Sequence, residues 1–298
     1  MPRSPGASRP VCRRAQRSQH AQRLLRALAL ITALALAGGC ASAPFEVHMQ
    51  QVTYASHGGV PQQADVYRPR GTGPFPAVVV IHGGGWRKGG PWQMQHIAER
   101  LAGEGFVVAN IGYRLAPEFT YPAPVEDSEA AVRWLREHAT EYRVDVDRVG
   151  AWGYSAGAHL ALLLATRDTP VSAGTTSTRL TAVVGGGSPT DMTLFGENEI
   201  VTMFMGGTPS AKPDAYRDAS PVTHVTPGDP PAFLYHGKSD WVVAPQHTHE
   251  LADALRKAGV EVSVTEPFFG HIAVFLFGRA EEDAAIEFLR QRLRPPAS

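Results

Sequence analysis

The chain is almost without cysteine. Of its 298 residues only Cys12 and Cys40 are cysteines, and both lie near the amino terminus. The long remainder has no thiol. No disulfide can staple it, and no thiolate can act as nucleophile or metal ligand. The chain also lacks net charge, with 28 basic against 28 acidic side chains. That balance is uneven along its length. Residues 1–26 hold seven arginines and no acid, which leaves 21 basic against 28 acidic groups elsewhere, a formal charge of −7. A mildly acidic body gives no electrostatic reason to bind nucleic acid. No internal repeat or low-complexity tract follows the first forty residues. No spaced His/Cys/acid set suggests zinc, no phosphate-loop G-x-x-x-x-G-K-[ST] occurs, and no dinucleotide fingerprint opens a helix. Neither a metal nor a cofactor is therefore expected.

The arginine-rich start leads into an apolar stretch, Ala27 to Ala37, broken only by Thr32. A basic segment, a short apolar segment and then small residues read as an export signal over residues 1–40. The stretch is short for a membrane span. Ala37-Gly38-Gly39-Cys40 has the form of a bacterial lipobox, with Ala where Leu is usual, and would place a lipid on Cys40. Ala41-Ser42-Ala43 is the competing A-x-A cleavage site, with Pro44 directly after it. Arg13-Arg14 hints at twin-arginine export. The expectation is an exported protein, periplasmic or anchored to a membrane through Cys40. Residues 41–298 are long enough to bury one core, and are expected to form a single domain.

Short apolar runs alternate with helical patterns. Val52 to Tyr54 and Ala64 to Tyr67 look like early antiparallel strands. Ala77 to Ile81 is a continuous run of the kind buried on both faces of a sheet. Phe106 to Ile111, Val149 to Trp152, Ala182 to Val184, Ala232 to Tyr235 and Val260 to Thr265 follow. Helices are expected at Trp92 to Ala102, Val125 to His138, Ala156 to Ala165, Pro245 to Ala258 and Glu281 to Arg292. Ala102-Gly103 and Ala258-Gly259 read as helix ends. This alternation predicts an α/β fold, a mostly parallel sheet with helices on both faces and loop motifs along the carboxyl edge.

Gly153-Tyr154-Ser155-Ala156-Gly157 joins one of these strands to a helix. A G-x-S-x-G turn in that context puts a serine on a sharp elbow, and its glycines let the backbone bend without a Cβ clash. His82-Gly83-Gly84-Gly85-Trp86 directly follows the Ala77–Ile81 strand, and its glycines expose N–H groups that can face a developing oxyanion. A serine needs a base, and in this arrangement the order is serine, acid, histidine. Asp240 follows one late strand and His271 the next, so both can converge on Ser155. His271 is the expected general base and acid, and Asp240 the residue that fixes its tautomer. Asp191, also after a strand, is the competing acid. His247 and His249 lie in an expected helix, where solvated surface histidines are the default. His159 is expected to pack in the nucleophile helix, and His82 to shape its own loop.

Taken in order, His82-Gly83-Gly84-Gly85-Trp86, Tyr113-Arg114-Leu115-Ala116-Pro117-Glu118, Gly153 to Gly157, Asp240 and His271 resemble the alpha/beta-hydrolase superfamily. The similarity is to its hormone-sensitive-lipase-like and bacterial feruloyl/acetyl-xylan-esterase-like (BD-FAE) carboxylesterases, and covers residues 50–292. It implies Ser155 as nucleophile and an oxyanion hole from the N–H groups of Gly84, Gly85 and Ala156. It implies a structural Asp127 that holds Arg114 or a nearby loop. Hormone-sensitive-lipase-like members carry a longer amino-terminal cap, so the site here should be more open, as in the feruloyl/acetyl-esterase-like group. Residues 188–230 are the remaining candidate cover. Their Phe195, Met203, Phe204 and Met205 either line a pocket or pack on the sheet. The implied activity is hydrolysis of a small-molecule or carbohydrate ester with a short acyl group such as acetyl. An arylformamidase-like amidase, a peptidase of related fold and a non-catalytic envelope binding protein are the alternatives.

Overall fold

The run Ala77 to Ile81 has no polar position, which suits a strand covered on both faces. In the computed structural model, which describes residues 45–167 and 176–293, that strand lies inside an eight-stranded sheet. The expected export segment at 1–40, Cys40 included, lies outside the described residues. The strands are β1 Val47–His57, β2 Val60–Pro69, β3 Phe75–Ile81, β4 Val107–Ile111, β5 Val144–Tyr154, β6 Ala182–Gly186, β7 Ala232–Tyr235 and β8 Val262–Thr265. Their spatial order is β1-β2-β4-β3-β5-β6-β7-β8. β1 and β2 form an antiparallel hairpin, and β2 is antiparallel to β4. All other pairs are parallel.

The helices are α1 Gln95–Gly103, α2 Ala123–Glu137, α3 Ala139–Tyr142, α4 Ala156–Thr166, α5 Glu199–Met205, α6 Pro213–Asp218, α7 Gln246–Lys257, α8 His271–Phe277 and α9 Arg279–Arg292. Successive strand residues face opposite sides. Ala77, Val79 and Ile81 therefore pack with α2, α4 and α7, whereas Val78 and Val80 pack with α1, α8 and α9. α4 is buried along nearly its whole length, which explains why its sequence has no polar stripe.

Register sets the position of the site. Ile81 pairs with Ile111 and with Gly153. Tyr235 pairs with Gly186 and with Thr265. The parallel strands thus end level, and their following loops share one carboxyl edge. Two features depart from the sequence expectation. β5 begins at Val144, ahead of the expected Val149, because Val144 pairs with Phe75 across an irregular register. The residues after Gly270 form α8, a short apolar helix with no polar period to announce it.

Candidate active site

The elbow at Ser155 is tightly constrained. Its φ of 54° and ψ of −121° lie in a region that non-glycine residues seldom occupy. Holding such a residue costs on the order of 1–3 kcal/mol, which the surrounding packing must supply. Two glycines permit it. A Cβ on Gly153 would stand 2.1 Å from Gly157 O, and a Cβ on Gly157 would stand 2.1 Å from Ile81 O. Ser155 N–H donates to Gly186 O at 2.7 Å. Ala156 then opens α4, so its N–H faces outward with no carbonyl one turn earlier.

Ser155, His271 and Asp240, three residues far apart in sequence, meet at the carboxyl edge. His271 Nε2 lies 2.9 Å from Ser155 Oγ, and His271 Nδ1 lies 2.6 Å from Asp240 Oδ2. Facing a carboxylate, Nδ1 carries the proton, which leaves the Nε2 lone pair to accept from the serine hydroxyl. Tyr154 Oη–H donates to His271 O at 2.5 Å and fixes the backbone from which the imidazole projects. Asp240 Oδ1 accepts from Val242 N–H and Val243 N–H, each at 2.9 Å. Burial would raise the Asp240 pKa, but the neighbouring imidazoles of His236 and His271 and the bond from Val243 N–H outweigh it and hold the carboxyl well below the usual range. His236 and Tyr154 were not singled out from the sequence.

The glycine loop after β3 is braced from several sides. Gly84 and Gly85 have φ of 109° and 62°. His82 Nδ1–H donates to Gly83 O at 2.7 Å, and the ring stacks on Tyr113 at 4.3 Å between centroids. Tyr113 Oη–H donates to His82 O at 3.1 Å, and Ala116 N–H donates to Trp86 O at 2.9 Å. Trp86 Nε1–H donates to His159 Nδ1 at 3.1 Å, and His159 Nε2–H donates to Ala219 O at 2.7 Å. His159 is thus an uncharged link between this loop, α4 and the segment after β6. Burial pushes its pKa down to about 4.

Gly84, Gly85, Ser155, Ala156 and His271 line one cleft of about 510 Å³. Ile200, Val201, Val243, Phe275 and Leu276 make much of its wall apolar. Of the four residues considered for a pocket in 188–230, Phe195 lines the cleft. Phe204 and Met205 are core, Phe204 stacking on Trp86 at 4.4 Å, and Met203 packs against that core.

Asp191 accepts from Thr193 N–H at 2.8 Å, capping a single 3-10 turn (Met192–Phe195), while Asp240 is the acid that meets His271. Asp127 grips Arg114, its Oδ2 accepting the backbone N–H at 2.7 Å and its Oδ1 the Nε–H at 2.9 Å. His249 is exposed and pairs with Glu266. His247 corrects the expectation of a solvated histidine. It is buried, its Nδ1 accepts from Thr190 N–H and Asp191 N–H, and it stacks on Phe195. It faces inward because His247, Leu251 and Leu255 share one face of α7 at four-residue spacing. Among the described residues, no group of three or more His, Cys, Asp or Glu could hold a metal ion.

An open sheet of this strand order, with a serine elbow after β5, an acid after β7 and a histidine after β8, defines an alpha/beta-hydrolase. Residues 64–255 match the BD-FAE family, and the chain belongs to it. It is 30% identical over 250 residues to the probable carboxylic ester hydrolase LipM of Mycobacterium tuberculosis, covering 78% of this chain and 58% of LipM. It spans less than two thirds of the length of LipM and of the mycobacterial esterases LipC and LipQ. Among solved structures it is similar to Est2, a thermophilic esterase of the planctomycete Thermogutta terrifontis. The propionate-bound form aligns with a TM-score of 0.71 at 26% identity, over 84% of this chain and 97% of that one. The form phosphorylated by paraoxon aligns with a TM-score of 0.70 at 26% identity, over 83% and 96%.

Proposed function

We propose that this protein is a serine carboxylesterase that hydrolyses short-chain carboxylic esters through an acyl-enzyme. The observation that carries the reading is the contact of His271 Nε2 with Ser155 Oγ at 2.9 Å, backed by Asp240 at 2.6 Å. Ser155 Oγ attacks the ester carbonyl while His271 Nε2 takes its proton. Gly84, Gly85 and Ala156 N–H groups receive the oxyanion. The imidazolium, stabilised by Asp240, then protonates the leaving alcohol, and the acyl group stays on Ser155. Water, deprotonated by His271, attacks the acyl-serine, and the second collapse frees the acid and restores Ser155. Removing one oxyanion donor from such a site costs on the order of 100-fold or more in turnover.

The propionate-bound form of Est2 favours a small acyl group, and its phosphorylation by paraoxon is consistent with an activated nucleophile in a site of this kind. The substrate class is a small-molecule or carbohydrate ester. The arginine-rich, apolar sequence of residues 1–40 supports export and, at Cys40, lipid attachment. A Cys40→Ala variant that loses membrane fractionation would support the anchor, and unchanged fractionation would remove it. Activity is tested with p-nitrophenyl esters from acetyl to long acyl, beside Ser155→Ala. Turnover that falls with acyl length and vanishes in the variant supports the reading. A folded wild-type protein inert to every ester, yet active on aryl formamides, would replace it with the amidase.

A further inference from the structure

Asp240 has a second imidazole beside it. His236, directly after β7, is fully buried. Its Nε2 lies 2.9 Å from Val243 O and 3.1 Å from Asp240 Oδ2, the oxygen that also faces His271. Its Nδ1 lies 2.7 Å from Thr248 Oγ1 on α7. Both atoms near Nε2 are acceptors, so Nε2 carries the proton. That N–H is aligned with Val243 O and passes alongside Oδ2. Thr248 Oγ–H can donate to Nδ1 and fix this tautomer. Val243 appears on both sides of the arrangement, since its N–H holds Oδ1 and its C=O holds His236. His236, Asp240 and the turn between them therefore form one closed unit, with two backbone donors on Oδ1 and two imidazoles on Oδ2.

A buried residue that only filled space would present carbon to the carboxylate, whereas His236 presents its N–H edge. We propose that His236 is a positioning residue that holds the Asp240 carboxylate in the plane that keeps His271 aimed at Ser155. The proposal rests on the roles given above to Asp240 and His271. The titratable groups near His236 are Asp240 on its own loop, His271 at the start of α8, and His247 on α7 with Asp191 beyond it. Of these, Asp240 alone is in contact with its ring nitrogens. Withdrawing the His236 N–H concentrates negative charge on Oδ2, which favours imidazolium at His271. The acid limb of the pH–rate profile should move to higher pH.

The test compares His236→Phe and His236→Gln with wild type on p-nitrophenyl acetate, reading kcat, KM and the pH dependence of kcat/KM. Loss of the N–H that lies 3.1 Å from the carboxylate, together with its bond to Val243 O, predicts about a tenfold fall in kcat for His236→Phe, with KM nearly unchanged. Its acid limb should shift upward. His236→Gln, whose amide can replace Nε2–H, should recover most of both effects. A folded His236→Phe with wild-type kcat and pH profile would overturn the proposal. So would a Gln variant no better than Phe. If His236→Phe does not fold, nitrogen-15 spectra decide: a protonated Nε2 on His236 whose signal moves in Asp240→Asn supports the proposal, and an unprotonated Nε2, or one that Asp240→Asn leaves unmoved, overturns it. Wild-type inactivity on esters would instead defeat the esterase reading, so the two failures are distinguishable.

Discussion

Replacement of Asp127 by Ala should damage both stability and turnover, although Asp127 is remote from the reacting atoms. Its side chain is fully buried and the Arg114 side chain is 10% exposed. Arg114 Nε lies 2.9 and 3.0 Å from the two carboxylate oxygens, and Arg114 N–H donates to Oδ2 at 2.7 Å. A buried ion pair adds little net stability over an apolar pair, but losing one partner strands the other. In Asp127→Ala, Arg114 would keep only Glu126, which is half exposed, and Ala123 O. The expected loss is about 3–5 kcal/mol, a fall in Tm on the order of 10 °C for a domain of this size.

The same pair anchors the turn that carries Tyr113 and Ala116, which in turn hold His82 O and Trp86 O in the glycine loop. Turnover of p-nitrophenyl acetate should therefore fall about tenfold in the folded fraction, the cost of roughly one lost charge-assisted contact. Asp127→Asn, which keeps an acceptor, should lose less of both. The double variant Arg114→Met with Asp127→Leu should recover stability, since no buried charge remains. Scanning calorimetry and steady-state kinetics on the four proteins read these effects. An Asp127→Ala protein within 2 °C of wild type, on the scale of about 2–4 °C per kcal/mol, would show that Arg114 is not stranded by the loss of its partner.

Other outcomes follow from the same packing. Burial lowers the pKa values of His82, His159 and His247 to about 4. The unfolded chain binds protons on these rings below about 6.5, the ordinary histidine value, while the fold does not. Stability should be full above that pH and fall as pH drops toward 4, by up to about 1.4 kcal/mol per pH unit for each histidine. A Tm that stays flat through this window would contradict the buried, neutral rings. Gly157→Ala would push a Cβ to 2.1 Å from Ile81 O and 2.5 Å from His82 O. It should cost at least about 3 kcal/mol, the upper range of overpacking, and abolish activity. Near-normal activity would sink the close strand–helix contact. Ile200 lines the cleft beside Gly85, so Ile200→Ala should move the acyl-length profile toward longer chains. An unchanged profile would place the acyl group elsewhere.

What could be read from the sequence was local. Ser155 and Asp240 follow strands that announce themselves by an apolar run, His271 follows one of alternating valines (Val260, Val262, Val264), and parallel pairing obliges the loops after such strands to share an edge. What could not be read depends on tertiary contact. His236 differs from a strand-end histidine only through Asp240, Val243 and Thr248, which reach it across the turn and from α7. Phe204 and Met205 had the composition of a pocket wall, but α5 turns them inward, where Trp86 covers Phe204. His247 is a different case, because its four-residue spacing to Leu251 and Leu255 was present in the sequence. The spacing outweighs the residue type: a histidine on the apolar face of a helix is carried into the core with it.

An acyl-enzyme at Ser155 can be caught by acid-quenching the protein during turnover of p-nitrophenyl propionate and weighing its peptides. A propionyl mass is expected on the peptide that contains Ser155, and none in Ser155→Ala. Steady hydrolysis with no acyl group on that peptide at any quench time, or with Ser155→Ala as active as wild type, would contradict the acyl-enzyme.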